Sequence, residues 1–257
     1  MQELANLALF KRYLWEEASL LVVTGDMAPA VEGRVVYNAR FDIKEGGSVD
    51  PAFFTRILTA TGLAAVSLSE RESWGWTFTL PGSSHGFFVG VEPEGMICAR
   101  IHETDTNRHV AVLQRQRPEE PLKESHFEVP DEDPAHLVER YFEGVDQIAT
   151  RVAVDDSGLG VLVQAMPGGR FREVTDLQAP ELIERIHQLA DRDEMKPLQE
   201  VLLFYECRCH DEMIIGMLSG LPEERQQELW GDLEELEVEC PRCGRKYVVK
   251  KKGGAAK

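Results

Sequence analysis

The spacing of hydrophobic and polar residues predicts a meander of antiparallel strands in the first half of the chain. Trp74, Trp76 and Phe78 alternate with small or polar residues, which is the two-residue period of a half-buried strand. Two turns that contain proline and glycine separate this run from the next two apolar segments. We therefore expect three consecutive strands within residues 74–103, a further strand at 109–114, and a core that contains the aromatic stripe.

Two helices in the same part of the chain have start signals. Asp50 is followed by Pro51 and by an apolar run that continues to residue 68. Asp133 is followed in the same way by Pro134 and an amphipathic run. Aspartate is a favoured N-cap residue and proline fits the first helical position, so each pair predicts the start of a helix.

Four other segments complete the first part. Residues 33–43 follow a turn and predict a strand, and residues 150–154 and 158–166 predict two more. Residues 115–134 hold four prolines and many charges, so we expect an exposed connection there. Together, residues 1–176 predict an α+β core domain in which helices pack on an antiparallel sheet.

The segment 177–206 has a different pattern. Its first half predicts an amphipathic helix, and its second half is a short apolar piece that leads to a pair of cysteines. The apolar face of the helix has four members: Leu182, Ile183, Ile186 and Leu189. We expect a helical linker that needs another surface to cover it. Residues 181–190 are most simply an ordinary docked helix, and a cover over a binding surface is the alternative.

Residues 207–257 predict a small third domain. Two short helices precede a strand, a knuckle and a second strand within residues 238–249. This segment has too few apolar residues to be stable as an independent unit. Another constraint must therefore hold the unit together.

Composition and charge narrow the functional classes. The chain of 257 residues is 43% hydrophobic and 28% charged, which is typical of a globular protein with a sizeable core. A net charge of -17 argues against binding to nucleic acid or to an anionic membrane surface. Charges interrupt the apolar runs of the first 25 residues, so we expect no secretory signal and a cytoplasmic location. The sequence has no GxxxxGK(S/T) loop, and we expect no ATP binding.

Four of the five cysteines form two close pairs. Cys207 and Cys209 are separated by one residue, Cys240 and Cys243 by two, and thirty residues lie between the pairs. This spacing is typical of a tetrahedral zinc site with four thiolate ligands. Gly244 allows the backbone conformation that turns amides towards sulfur. We expect one zinc ion, which is either a structural staple alone or part of a switch.

Thiolates are also the form of cysteine that oxidants attack. The nearest partner of Cys207 is Cys209, and that of Cys240 is Cys243. The first of these disulfides would close a small, strained and readily reduced ring. Oxidation would eject zinc and unfold the small domain, together with any linker packed on it. The net negative charge of the metal cluster has basic neighbours in the sequence: Arg208, Arg242, Arg245 and Lys246.

Other candidate residues have simpler interpretations. Cys98 lies in an apolar strand, and we expect a buried and inert thiol there, with a fifth switch thiol as the alternative. His210 follows the first cysteine pair and is an alternative metal ligand. The remaining histidines are scattered, without a serine, aspartate or second histidine spaced for catalysis. We therefore do not expect an enzyme.

The cysteine spacing, with the aromatic Tyr247 after the second pair, resembles the zinc domain of the heat-shock protein 33 family of bacterial redox-regulated chaperones. Residues 141–154 look like that family's Tyr-Phe, Gln and Thr signature before a strand, and residues 159–169 are similar to its Val-Gln-x-x-Pro-Gly block. The chain has Val145, Asp146 and Gln147 where the family usually has Ser-Glu-Gln, and its linker is shorter.

The resemblance implies a function for the whole chain. Family members are inactive holdases while reduced and zinc-bound, and oxidation forms the disulfides Cys207–Cys209 and Cys240–Cys243 and releases zinc. The zinc domain and the metastable linker then unfold, unfolding client proteins bind to the exposed apolar surface, and the active form is a homodimer. The shorter linker suggests the hypothesis of partial activity in the reduced state. Two rival functions remain: a constitutive binding module with structural zinc, and a thiol-disulfide oxidoreductase that uses the CxxC pair.

Overall fold

The computed structural model describes residues 6–44, 49–68, 72–81, 84–104, 109–129 and 131–251. The fold is α+β, and its first nine strands are β1 (Leu7–Trp15), β2 (Leu20–Asp26), β3 (Ser73–Thr79), β4 (His85–Val91), β5 (Met96–Glu103), β6 (Val110–Gln116), β7 (Lys123–Glu128), β8 (Thr150–Val154) and β9 (Leu159–Ala165). The remaining three are β10 (Lys196–Tyr205), β11 (Glu235–Glu239) and β12 (Lys246–Lys250). The helices are α1 (Ala28–Arg40), α2 (Pro51–Val66), α3 (Pro134–Tyr141), α4 (Arg172–Thr175), α5 (Ala179–Asp191), α6 (Asp211–Ser219) and α7 (Glu223–Trp230), and a π-helical turn, Phe142–Asp146, follows α3.

Ten strands form one sheet in the order β7-β6-β3-β4-β5-β10-β1-β2-β9-β8. The predicted meander is confirmed, because β3, β4 and β5 are consecutive antiparallel neighbours and β6 pairs with the free side of β3. Trp74, Trp76 and Phe78 are buried in the core, as their alternation predicts. The strands predicted around residues 150–154 and 158–166 are also present, as the antiparallel pair β8 and β9.

Strand β10 lies in the middle of this sheet. It pairs with β1 from Leu7↔Phe204 to Leu14↔Lys196 in antiparallel register. On its other side it pairs with β5 in parallel, at only two positions, Phe204↔Met96 and Tyr205↔Ile97. Thus β10 joins a half-sheet of β3 to β7 to a half-sheet of β1, β2, β8 and β9.

The segment predicted as a helical linker is therefore helical only in its first half. The amphipathic helix is confirmed as α5, whose Leu182, Ile186 and Leu189 are buried. The apolar piece that follows it is a strand, because it fills the gap between β1 and β5 and its backbone groups pair with both. The division into units at residues 176 and 206 stays a prediction.

The strand predicted at residues 33–43 is wrong, because this segment lies mostly in helix α1. The buried residues Ala30, Gly33 and Tyr37 recur at the helical spacing of three and four, and they face the sheet. Val35 and Val36, which favour a strand, are instead exposed on the outer face of the helix. Packing on one face therefore overrides local propensity here.

The predicted N-caps are confirmed at both helices. A side-chain oxygen of Asp50 accepts a hydrogen bond from the backbone N–H of Ala52 at 3.1 Å, and Asp133 accepts one from Ala135 at 2.9 Å. The charged connection predicted at 115–134 contains β7, an exposed strand at the edge of the sheet. Its exposed Lys123, Glu124 and Glu128 suit a solvated edge strand.

Helix α5 packs on β8 and β9 at the other end of the sheet. It contributes to a second apolar cluster with Leu20, Val22 and Val163, whereas the aromatic stripe of β3 belongs to the main core. Within the described residues, α5 is thus docked against its own cluster and does not cover that stripe. None of the helices in the described ranges is long and apolar enough to span a membrane.

The last part of the described chain is small. Helices α6 and α7 lead into the antiparallel hairpin of β11 and β12, which confirms the predicted strand, knuckle and strand. Residues 1–5 of the predicted core unit and 252–257 of the predicted third unit lie outside the described residues.

Candidate metal centre

The first cysteine pair follows directly from β10. Cys207 and Cys209 are buried, whereas Arg208 and His210 are exposed, so the extended segment keeps the two-residue alternation of the strand. The backbone N–H of Glu206 donates to the carbonyl of Ile97 on β5 at 3.0 Å. That bond anchors the segment to the sheet immediately before the first sulfur.

The second pair lies in the turn between β11 and β12. The N–H of Cys240 donates to the carbonyl of Arg245 at 2.8 Å, and the N–H of Gly244 donates to the carbonyl of Cys240 at 2.9 Å. Gly244 has a φ of 81°, a conformation that favours glycine. Hydrogen bonds with Cys207 and the other cluster thiols lower the pKa of Cys240, and the backbone N–H of Arg242 adds a smaller contribution. This is the knuckle geometry expected from the sequence.

The structure brings the four sulfurs together. The Sγ atoms of Cys207, Cys209, Cys240 and Cys243 all lie within 4.8 Å of one another, and all four residues are buried. The Sγ atoms of Cys209 and Cys243 are 3.5 Å apart. A tetrahedral zinc ion with Zn–S bonds of about 2.3 Å places its sulfurs about 3.8 Å apart, so this donor set fits zinc. All five cysteines of the chain are free thiols.

Hydrogen bonds within the cluster make the thiols unequal. Bonds from Cys207 and other members lower the pKa of Cys209 to about 7 and that of Cys240 further. The bond with Cys209 contributes most to raising the pKa of Cys207. Four thiolates in one buried site repel one another, so a divalent cation is the partner that allows all four to ionise together.

Residues outside the cysteine pairs also contact the sulfurs. The hydroxyl of Tyr37, on α1, donates to the Sγ atom of Cys243 at 3.4 Å. Cys98 is buried on β5, as predicted. His210, the alternative ligand, is exposed and donates from Nδ1 to the carbonyl of Arg208 at 3.1 Å. The cluster of ligating atoms in the described residues contains the four cysteines and not His210.

The contacts that the basic neighbours of the cysteines make are with carboxylates and an aromatic ring. Arg208 and Arg242 both form ion pairs with Glu92, at the end of β4. Arg245 lies over the ring of Phe41, with its guanidinium carbon 3.9 Å from the ring centroid. Lys246 pairs with Glu237 on the neighbouring strand at 2.7 Å.

One arginine of the sheet reaches in the opposite direction. Arg100, on β5, donates to the carbonyl of Cys240 at 3.1 Å and pairs with Glu239. We call residues 206–250 the cysteine unit. Arginines of this unit pair with Glu92 of the sheet, and Arg100 of the sheet binds to the unit, so hydrogen bonds and ion pairs in both directions dock it on the sheet. Tyr37, Glu92 and Arg100 were not predicted as site residues, because only tertiary packing brings them to the cysteines.

Comparison with known proteins agrees with this arrangement. A family model described as Hsp33 protein matches residues 33–250. The chain belongs to the Hsp33 family. The 33 kDa chaperonin of Hahella chejuensis is 27% identical over 130 residues, which are 43% of this chain and 46% of that protein. The 33 kDa chaperonin of Caldanaerobacter subterraneus subsp. tengcongensis is 32% identical over 85 residues, 32% of this chain and 28% of that one.

The Hsp33 fold is also present in a solved structure. The crystal structure of the 33 kDa chaperonin of Thermotoga maritima superposes with a TM-score of 0.66 at 16% sequence identity, and the match covers 95% of both chains. That likeness shows a shared fold. The aligned parts span less than half the length of the two curated relatives.

Proposed function

We propose that this Hsp33 family member is a redox-regulated holdase, which binds unfolding proteins and prevents their aggregation under oxidative stress. The observation that supports this most directly is the convergence of four buried thiols at one point. In the proposal, Cys207, Cys209, Cys240 and Cys243 bind one zinc ion in the reduced protein. The partners are unfolding clients and, after oxidation, a second copy of the chain, and the location is the cytoplasm.

The proposed switch converts four thiols to two disulfides. Oxidation by peroxide removes two electrons from each pair, joins Cys207 to Cys209 and Cys240 to Cys243, and produces two water molecules for each disulfide. A disulfide sulfur is a poor zinc ligand, because the thiolate is the form that binds the metal. A zinc ion held by these four cysteines would keep their sulfurs ionised and close together.

Release of the metal has a structural consequence next to the first pair. Cys207 lies two residues after Tyr205, whose pairing with Ile97 is the end of the short β5–β10 contact. The hydroxyl of Tyr205 accepts a hydrogen bond from the N–H of Ala99 and donates one to its carbonyl, at 3.2 and 3.0 Å. Loss of a metal bound at Cys207 would therefore remove a constraint two residues from the contact between the two half-sheets.

The same proposal makes the protein a binder and not an enzyme, without nucleic acid, membrane or ATP as partners. The cysteines are placed poorly for a thiol-disulfide oxidoreductase. Cys240 and Cys243 are buried in a hairpin knuckle, whereas a catalytic CxxC pair presents an accessible thiolate.

The experiment is suppression of client aggregation, followed by light scattering. The full chain is added to a chemically unfolded client, either reduced and zinc-loaded or oxidised and zinc-free. Suppression by the oxidised form alone supports the switch, and a variant with Cys209→Ser and Cys243→Ser should not respond to oxidant. Suppression by both forms supports a permanently active chaperone with structural zinc. Suppression by neither form excludes a holdase.

A further inference from the structure

One carboxylate of the core contacts an arginine within each of the two cysteine segments. Glu92 begins the turn between β4 and β5, and its side chain is only 3% exposed. Arg208, between the two cysteines of the first pair, has its Nη1 atom 3.2 Å from Oε2 of Glu92. Arg242, between the two cysteines of the second pair, forms an ion pair with Oε1. The ion pairs of this one residue therefore depend on the position of both cysteine segments.

Arg242 occupies a slot shaped for it. A Cβ atom at position 90 would lie 2.5 Å from Nη2 of Arg242, so Gly90 leaves the space that the guanidinium group fills. The ring of Phe88 flanks it, with the guanidinium carbon 5.6 Å from the ring centroid. Ser73, on the adjacent strand, donates to Oε2 of Glu92 at 2.8 Å. The sheet therefore fixes the position of Glu92, and the two arginines of the cysteine unit bind to it there.

The two ion pairs depend on the metal because of where the arginines lie in the chain. Arg208 lies in an extended segment and Arg242 in a turn, and each is between two cysteines whose sulfurs would have to point at a common centre to bind one metal ion. A disulfide within a pair, or the absence of a bound ion, would change the backbone between the two cysteines and move the arginine. Once both arginines leave, Glu92 is a buried charge without a cationic partner among the contacts described above, which is strongly unfavourable.

We propose that Glu92 is the positioning residue that couples the state of the two cysteine pairs to docking of the cysteine unit on the sheet. Both cysteine segments must keep their conformation for both arginines to reach Glu92, so the unit docks or leaves as a whole. This inference rests on the proposed redox-controlled function and names the contact through which the switch acts on the core.

The test is amide hydrogen exchange of the full-length, reduced and zinc-loaded protein, in wild type and Glu92→Gln. Glutamine keeps the shape of the side chain and removes its charge. We expect exchange in β11 and β12 to accelerate by roughly tenfold or more, because a buried ion pair is broken. Zinc content should remain one ion per chain, and exchange in β8 and β9 should not change.

Glu72→Gln is a matched control. Its side chain is also 3% exposed, and it accepts hydrogen bonds from two arginines, Arg115 and Arg117, but these belong to β6 and the residue after it. This variant should destabilise the core without selective acceleration in β11 and β12. If Glu92→Gln does not fold, Arg242→Gln removes the other partner of the same ion pair. The same results are then expected of Arg242→Gln, and the same results would refute the proposal.

Three results would overturn the coupling. They are unchanged exchange of β11 and β12 in Glu92→Gln, equal acceleration in Glu72→Gln, and loss of zinc from reduced Glu92→Gln. The last would make Glu92 part of the stability of the metal site itself. The exchange readout does not use clients, so a wild-type protein that never suppresses aggregation would refute the proposed function and leave this test valid.

Discussion

Replacing Tyr37 by phenylalanine should weaken zinc binding and leave the fold intact. The hydroxyl donates to Cys243 at 3.4 Å, and burial, followed by the contact with Cys243, raises the pKa of Tyr37, so the group stays protonated. A hydrogen bond to a charged acceptor contributes about 1.5–3 kcal/mol. Loss of an outer partner of a metal ligand typically lowers affinity by about 10- to 100-fold. Phenylalanine keeps the ring contacts with Phe41 and Tyr205, at 4.8 and 5.5 Å between centroids.

The assay is competition for zinc with a chromogenic chelator at fixed pH, with the protein reduced. Tyr205→Phe is the matched control, because it removes a buried hydroxyl beside the site that bonds to Ala99 and not to sulfur. The control should lower the free energy of unfolding and leave zinc affinity nearly unchanged. A Tyr37→Phe affinity within about threefold of wild type, or an equal loss in both variants, would refute the role given to this hydrogen bond.

Three further predictions concern the core and the docking contacts. Burial alone would raise the pKa of Glu72, but Arg115 and Arg117 lower it below 4.5. Glu72→Gln should therefore lower the free energy of unfolding by about 3–5 kcal/mol at pH 7. Because the pKa of Glu72 is lowered in the folded state, the difference in free energy of unfolding between wild type and variant, measured with urea, should have its full size above pH 4.5 and become smaller below it. A constant difference from pH 7 to pH 3 would contradict this. Chelation of zinc from the reduced protein should increase protease cleavage within residues 206–250 before β8 and β9, and uniform cleavage would count against the docked arrangement. Gly90→Ala should displace Arg242 and accelerate exchange of β11 and β12, with a change in global stability below about 1 kcal/mol; unchanged exchange would show that the slot is not needed.

Local signals in the sequence predicted local structure. The caps at Asp50 and Asp133, the knuckle glycine Gly244 and the alternation around Trp76 each depend on neighbours within a few residues, and each is confirmed. The convergence of the two cysteine pairs was also predictable, because metal spacing restricts where the sulfurs can lie.

Features that depend on distant packing were not predictable in the same way. Residues 33–43 hold β-branched residues, but the sheet provides a surface for a helix with Tyr37 at its contact face. The apolar run before Cys207 has no period that distinguishes a covered linker from a central strand. The segment forms a strand because it pairs with β1, which lies almost two hundred residues earlier in the chain. Nothing in the sequence around Glu92 predicts its role, because its two arginine partners lie more than one hundred residues later in the chain.

The position of β10 also sets the order in which the protein can be completed during synthesis. All nine other strands of the large sheet precede it in the chain. Until the ribosome has released residues 196–205, β1 and β5 are open edges of two separate half-sheets, and open edges invite wrong pairing. The cysteines follow immediately, so the strand that closes the sheet and the site that secures it emerge one after the other. A nascent chain stalled before residue 196 is thus two unfinished sheets, and these need protection from aggregation.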